Sequence, residues 1–196
     1  MNLKFIYSIA LFFTFSIILS SCGNKKNSDK QDEITTESAA QVDDILAKAD
    51  SLVGKEVVFE GVCTHTCKHG GKKMFILGSD DSKTLRVDAS EEIGSFPAEV
   101  VNNIVEVKGK LVEERIDEAV IAKLEEQYKK MSGAEHGDNK EVGCSSEKKA
   151  HGQNEINTFA QRIQDYKDRI AQRKEKEGKE YLSFYAVKGI SYKVKQ

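Results

Sequence analysis

Residues 55–77 read Lys-Glu-Val-Val-Phe-Glu-Gly-Val-Cys-Thr-His-Thr-Cys-Lys-His-Gly-Gly-Lys-Lys-Met-Phe-Ile-Leu, and the fold is decided there. Val57, Phe59 and Gly61 share one parity with Val58 on the other, which predicts a first strand running into Val62. Gly70-Gly71 supplies turn chemistry, and Lys72 to Leu77 returns as a second strand. Downstream, Gly78-Ser79-Asp80-Asp81 is a turn cluster, and Leu85, Val87 and Ala89 alternate in a third strand. Ser95 as N-cap and Pro97 in the first turn suit a short helix over Phe96 to Val101. Ile104 to Val112 alternates as a fourth strand and Tyr181 to Val194 makes a fifth. Upstream, Val42, Ile45, Leu46, Ala49 and Val53 recur at helical spacing within Ala39 to Val53.

Between the fourth and fifth strands the period changes. Ala119, Val120, Leu124, Tyr128 and Met131 mark one helix; Ile156, Phe159, Ile163, Tyr166 and Ile170 mark another. Two such stripes joined by a polar loop describe an antiparallel helical hairpin inserted over 116–177, its aromatics forming its own seam. Without that insertion the order is strand, strand, strand, helix, strand, strand. The order, with the glycine in strand one, resembles the five-stranded OB-fold barrel over about Lys55 to Lys195. A small β-sandwich is the competing architecture. The resemblance also extends to OB-like domains of uncharacterised exported bacterial proteins, and it implies ligand binding more often than catalysis.

The N-terminus places the domain. Met1 to Lys4 carry one positive charge and an apolar run follows from Phe5 to about Leu19, a signal peptide's layout. At roughly 15 residues the run falls short of the ~20 that span a bilayer. It ends in Leu19-Ser20-Ser21-Cys22-Gly23, which resembles the lipobox of bacterial lipoproteins. The resemblance implies cleavage after residue 21 and acyl chains on Cys22, which removes that thiol from other chemistry and anchors the chain in a membrane. Residues 22–37 are polar and read as a flexible tether, leaving 38–196 as one domain. Without residues 1–21 the chain has 29 basic against 32 acidic side chains, a formal charge of −3. That balance gives no general pull toward nucleic acid or anionic lipid. Gly23-Asn24-Lys25-Lys26 lacks an acidic surface-export signature, so a periplasm-facing anchor in the cell envelope is expected.

Apart from Cys22, every Cys and His falls in two windows: Cys63, His65, Cys67 and His69 in the first loop, and His136, Cys144 and His151 in the loop joining the two inserted helices. Thiolate and imidazole together suit zinc or copper. OB-folds bind through the loops joining strands one to two and four to five, so both windows sit where a ligand site belongs. In a straight strand Cys63 and His69 stand roughly 20 Å apart. The segment therefore curls at Gly70-Gly71, or adjacent pairs chelate while other ligands arrive from elsewhere. A disulfide between Cys63 and Cys67 needs the same turn, since ~13 Å of extended chain exceeds the roughly 7 Å limit. Purely structural side chains are the third reading. Exported OB-fold haem chaperones pair a histidine with a tyrosine four residues on; here His69 stands four beyond His65, so haem does not carry over.

Lys68, Lys72 and Lys73 form a basic patch that suits a phosphate, a lipid headgroup or an acidic sugar, or serves solubility. An acidic chain disfavours a nucleic-acid role. There is no Gly-rich phosphate loop, no G-x-S-x-G and no H-E-x-x-H, so no catalytic residue is assigned. Two functions are expected: transition-metal binding through the first loop, or an envelope interaction module whose helical hairpin meets a protein partner while the Cys and His residues are structural or redox-active.

Overall fold

A computed structural model of the chain describes residues 39–68, 70–80, 82–132, 145–153, 156 and 158–195. All of them belong to one compact unit, Ile34–Gln196. The architecture is a closed five-stranded mixed β-barrel with helices, mainly β. In chain order it comprises β1 (Ala40–Gln41), α1 (Val42–Ala47), α2 (Ala49–Leu52), β2 (Glu56–Thr66), β3 (Lys73–Leu77), β4 (Thr84–Asp88), a 3-10 turn (Ala98–Val100), β5 (Ile104–Asp117), α3 (Glu118–Ser132), α4 (Ser145–Ala150), α5 (Phe159–Glu177) and β6 (Tyr181–Lys195).

The strands run β2-β3-β4-β6-β5, and β5 returns to β2 to close the barrel; β1 adds a short parallel pairing outside β2. All barrel pairings are antiparallel except β4 with β6, where Arg86, Val87 and Asp88 meet Ala186, Val187 and Lys188 in parallel. Closure rests on β2, which serves two neighbours in turn. Glu56 to Val62 pairs with Lys110 to Ile104 of β5, and Val62 to Thr66 then pairs with Leu77 to Met74 of β3.

Gly61 sits where β2 changes partner. A Cβ there would lie 2.6 Å from the Leu77 carbonyl oxygen and 2.7 Å from Ile76 Cγ2, so only hydrogen allows β3 to approach.

Alternation fills the interior with Val57, Phe59, Cys63, Met74, Ile76, Leu85, Val87, Val105, Val107, Leu111 and Val187, while Val42, Ile45, Ala49, Leu52, Phe96 and Val100 join the same core from outside the strands. Each large apolar side chain so buried contributes roughly 1.5–3 kcal/mol before its lost entropy is counted. The upstream helix is divided at Lys48 into α1 and α2, so Leu52 turns inward while Val53 lies past the helix end and is 39% exposed. Ser95 caps no helix: with Pro97 in an extended conformation, only a single 3-10 turn forms. β2 and β5 both extend further than the alternation suggested.

A second apolar cluster joins Ile121 of α3, Ile163 and Tyr166 of α5, and Leu182 and Phe184 of β6. Tyr128 stacks on Phe159 with ring centroids 5.9 Å apart, and Lys167 pairs with Glu125 at 2.5 Å. Thus α3 and α5 share a seam, and Tyr166 also packs against Phe184 of β6. The ends of α5 are explained locally. The Gln161 amide donates to Thr158 Oγ1 and the Thr158 amide donates to Gln161 Oε1, a reciprocal cap. Gly178, at φ 68°, ends the helix in the left-handed conformation.

Replacing Gly61 by Ala is expected to destabilise the domain by about 1–3 kcal/mol, since a backbone carbonyl must give way. A urea denaturation midpoint unchanged from wild type would show that the two strands are not in close contact there.

Candidate functional site

The first Cys/His window lies mostly within a strand, since β2 continues through Thr66. Between Cys63 and His65 the register slips: Cys63 faces Ile76 and His65 faces Phe75, leaving Thr64 as the extra residue of a β-bulge. One inserted residue reverses the parity of everything after it. Cys63, whose partner Ile76 belongs to the core, therefore points into the barrel and is 0% exposed. His65 turns to the opposite face with its ring tilted beside Phe75, centroids 5.9 Å apart.

Their chemistry diverges accordingly. Burial pushes the Cys63 thiol above its ordinary pKa, outweighing its weak contacts with backbone oxygens, of which the His65 carbonyl lies 3.7 Å away. That is an inert, protonated thiol. His65 Nε2 is buried and has no hydrogen-bond partner among the described residues.

Cys67 is partly exposed. Its amide donates to the Lys73 carbonyl at 2.8 Å, which continues the pairing past Thr66 and keeps Cys67 on the face of His65. Gly70 and Gly71, at φ 81° and 62°, make the turn, and the Gly71 amide donates to the Cys67 carbonyl. Cys63 and Cys67 are both free thiols on opposite faces.

His69, His136 and Cys144 lie outside the described residues, as does Cys22. Among the described residues no three His, Cys, Asp or Glu side chains converge. His151 is placed elsewhere from the first window, buried against β6 with its ring stacked on Phe184 at 4.1 Å and 7°.

A hydrogen-bond chain decides the state of His151. Arg162 Nε donates to the Tyr166 hydroxyl at 3.0 Å, so that hydroxyl's own proton is free for His151 Nδ1, 2.7 Å away. Nδ1 is then an acceptor, and the neutral ring carries its proton on Nε2. Burial, followed by the positive charge of Arg162, lowers its pKa to about 3. Arg169 joins the arrangement by donating to the His151 carbonyl at 2.8 Å.

Beside this, α4 crosses the outer face of β3 and β4. Glu147 accepts from Lys73 Nζ at 3.0 Å and lies 3.8 Å from Arg86 Nη1. Burial pushes the Glu147 carboxyl up, but the Lys73 hydrogen bond and the charges of Lys73, Arg86 and Arg162 outweigh it and hold the group below its ordinary pKa. Arg86, 6% exposed, also bonds Glu114 and reaches Asp88 Oδ2 at 3.2 Å. The basic patch is thereby divided: Lys73 is engaged with Glu147, Lys72 donates to the Gly94 carbonyl, and Lys68 is exposed.

Sequence reasoning missed Arg86 and Glu147. Alternation in β4 marks Arg86 as a solvent position, and Ser145–Ala150 has no large apolar residue to announce a helix that packs. The chain matches no protein-family model and no curated protein. Among the described residues, no helix is long and apolar enough to cross a membrane.

His151 gives stability a definite pH dependence. Its folded pKa lies below the ordinary 6.5, so between about 6.5 and about 3 the unfolded chain binds a proton that the folded chain refuses. Stability is therefore complete above pH 6.5 and falls with acidification, by up to ~1.4 kcal/mol per pH unit from this group. His151→Phe, which keeps a ring on Phe184, is expected to flatten that slope in urea titrations at pH 4 to 7; an unchanged slope would assign the acid sensitivity to other groups.

Proposed function

We propose that the chain is a lipid-anchored protein of the bacterial cell envelope, periplasm-facing, whose OB-like barrel binds a transition metal, zinc or copper, at the turn end of β2. The strand order β2-β3-β4-β6-β5, the parallel pairing of β4 with β6, and helices lying in sequence between β5 and β6 support an OB-like barrel carrying a helical hairpin between its fourth and fifth strands.

The observation that carries the metal reading is the buried Nε2 of His65, without a hydrogen-bond partner among the described residues, on the same face as the partly exposed thiol of Cys67. A buried imidazole nitrogen without a partner costs about 1–3 kcal/mol, which a metal bond would recover. Residues two apart on one strand face stand about 6.6 Å apart at Cα, close enough to chelate one ion. Cys63 leaves the ligand set because it keeps the inward parity of Val57 and Phe59, while the bulge after it turns His65 outward. A tetrahedral ion needs two further ligands, for which His69, Cys144 and His136 remain the sequence's candidates.

Full-length protein prepared without tag histidines, reduced, offered zinc or Cu(I) and dialysed, is expected to retain about one ion per chain by elemental analysis. Cys63→Ala should retain it; His65→Ala and Cys67→Ser should lose most of it. Wild-type protein emerging without metal, or Cys67→Ser holding as much as wild type, would sink this reading.

Lipidation is tested separately. Wild-type chain expressed in a bacterium is expected to partition into the detergent phase of a cloud-point extraction, and Cys22→Ala into the aqueous phase. Equal partitioning of the two would remove the anchor.

A further inference from the structure

Arg86 is an unusual group to find under a six-residue helix. It is 6% exposed and has carboxylates of Asp88 and Glu114 near it, yet the Nη1 corner of its guanidinium is poorly served. Asp88 lies across the Nε–Nη2 edge, Oδ2 3.2 Å from Nη2 and Oδ1 3.1 Å from Nε, which has no hydrogen-bond partner among the described residues, while Nη1 faces Glu147 at 3.8 Å. A well-formed guanidinium–oxyanion pair is bidentate with N···O near 2.7–2.9 Å. The Glu147 carboxylate instead spends one oxygen on Lys73 Nζ and approaches Arg86 with the same atom.

The helix that delivers Glu147 is weakly held. Ser145–Ala150 buries no residue, and its largest apolar side chain is Ala150. Its Glu147 carboxylate links it to Lys73 of β3 and Arg86 of β4. Short segments with few buried apolar contacts open at low free-energy cost. When α4 lifts, Lys73, Arg86 and the nearby Arg162 face Asp88 and Glu114 with one negative charge removed.

We propose that Lys73 and Arg86 form a binding socket for a small soluble oxyanion, a phosphate or carboxylate group, and that Glu147 on α4 is an internal stand-in which the ligand displaces. An oxyanion with several oxygens engages Lys73 Nζ and the underused Nη1 of Arg86 together, which a single carboxylate fixed to α4 does not. Glu147 has only 20% side-chain exposure, so the vacated space is that of a headgroup, not of a polymer. The socket uses none of the proposed metal ligands and stands independently of that reading.

The test is calorimetric titration of the full-length chain in detergent with inorganic phosphate and, in a second arm, acetate, at constant ionic strength so that screening is unchanged. Deleting an internal competitor raises apparent affinity by the fraction of time the socket was blocked. Glu147→Ala is therefore expected to bind at least one of the two anions about tenfold more tightly than wild type. Adding Lys73→Met should return it to the wild-type level, and the arm that responds identifies phosphate or carboxylate. Equal affinity of Glu147→Ala and wild type for both anions, or indifference to Lys73→Met, would overturn the proposal. Should Glu147→Ala fail to fold, wild type decides: saturating anion is expected to speed amide exchange across Ser145–Ala150, and unchanged exchange counts against displacement.

Discussion

Everything in this domain depends on one strand having two partners. β2 must pair with β5 along its first half and with β3 along its second, and the barrel closes only because the chain bends between them at Gly61. A side chain at that bend would strike the Leu77 carbonyl, so closure is a steric permission before it is an energetic gain. The hydrophobic interior follows, because closure brings Val57, Phe59 and Cys63 of β2 against Met74 and Ile76 of β3 and Val105 and Val107 of β5. The bulge at Thr64 continues the same adjustment: strong local coiling is accommodated by one residue that does not pair.

The outer surface of the barrel is divided by that geometry. Around β2 and β5 it is open, with ion pairs such as Lys108–Glu56 and Lys195–Glu60 and exposed valines. Over β3, β4 and β6 it is covered by the helices between β5 and β6, so Phe75 and Arg86 are as buried as the interior. On the covered side, α3 and α5 bring apolar residues, whereas α4, His151 and Gln153 bring polar ones. Gln153 illustrates the consequence: it is 1% exposed, donates to Asp165 at 2.7 Å, and its side-chain Oε1 has no partner among the described residues. The polar half of this cover is the less satisfied half.

Much of the barrel was legible because alternation is a local signal. Val57 and Phe59, Leu85 and Val87, and Val105 and Val107 announce their strands and their inward face without knowledge of any partner. The α5 stripe was equally local, although Ile156, counted in it, stands before the Thr158 cap and outside the helix. What alternation does not carry is a change of parity. Val62, Cys63, Thr64 and His65 look like uninterrupted alternation, and only the pairing of Cys63 with Ile76 and His65 with Phe75 shows that one residue is skipped. Unbroken periodicity would put Cys63, His65 and Cys67 on one face; the skipped residue separates the first from the other two. Arg86 fails for the complementary reason, since a polar residue on the solvent parity of β4 becomes buried only through a distant helix with no apolar signature. In both cases the deciding fact is a contact between segments far apart in sequence.

The bulge also divides the cysteines of β2 into two kinds of clock. Cys63 is sealed among core side chains and held as a protonated thiol, so an alkylating reagent reaches it only when the barrel itself opens. Cys67, partly exposed at the turn, answers to local motion alone. Two thiols four residues apart thus register the life of the whole fold and the breathing of its edge, without any label having to be engineered in.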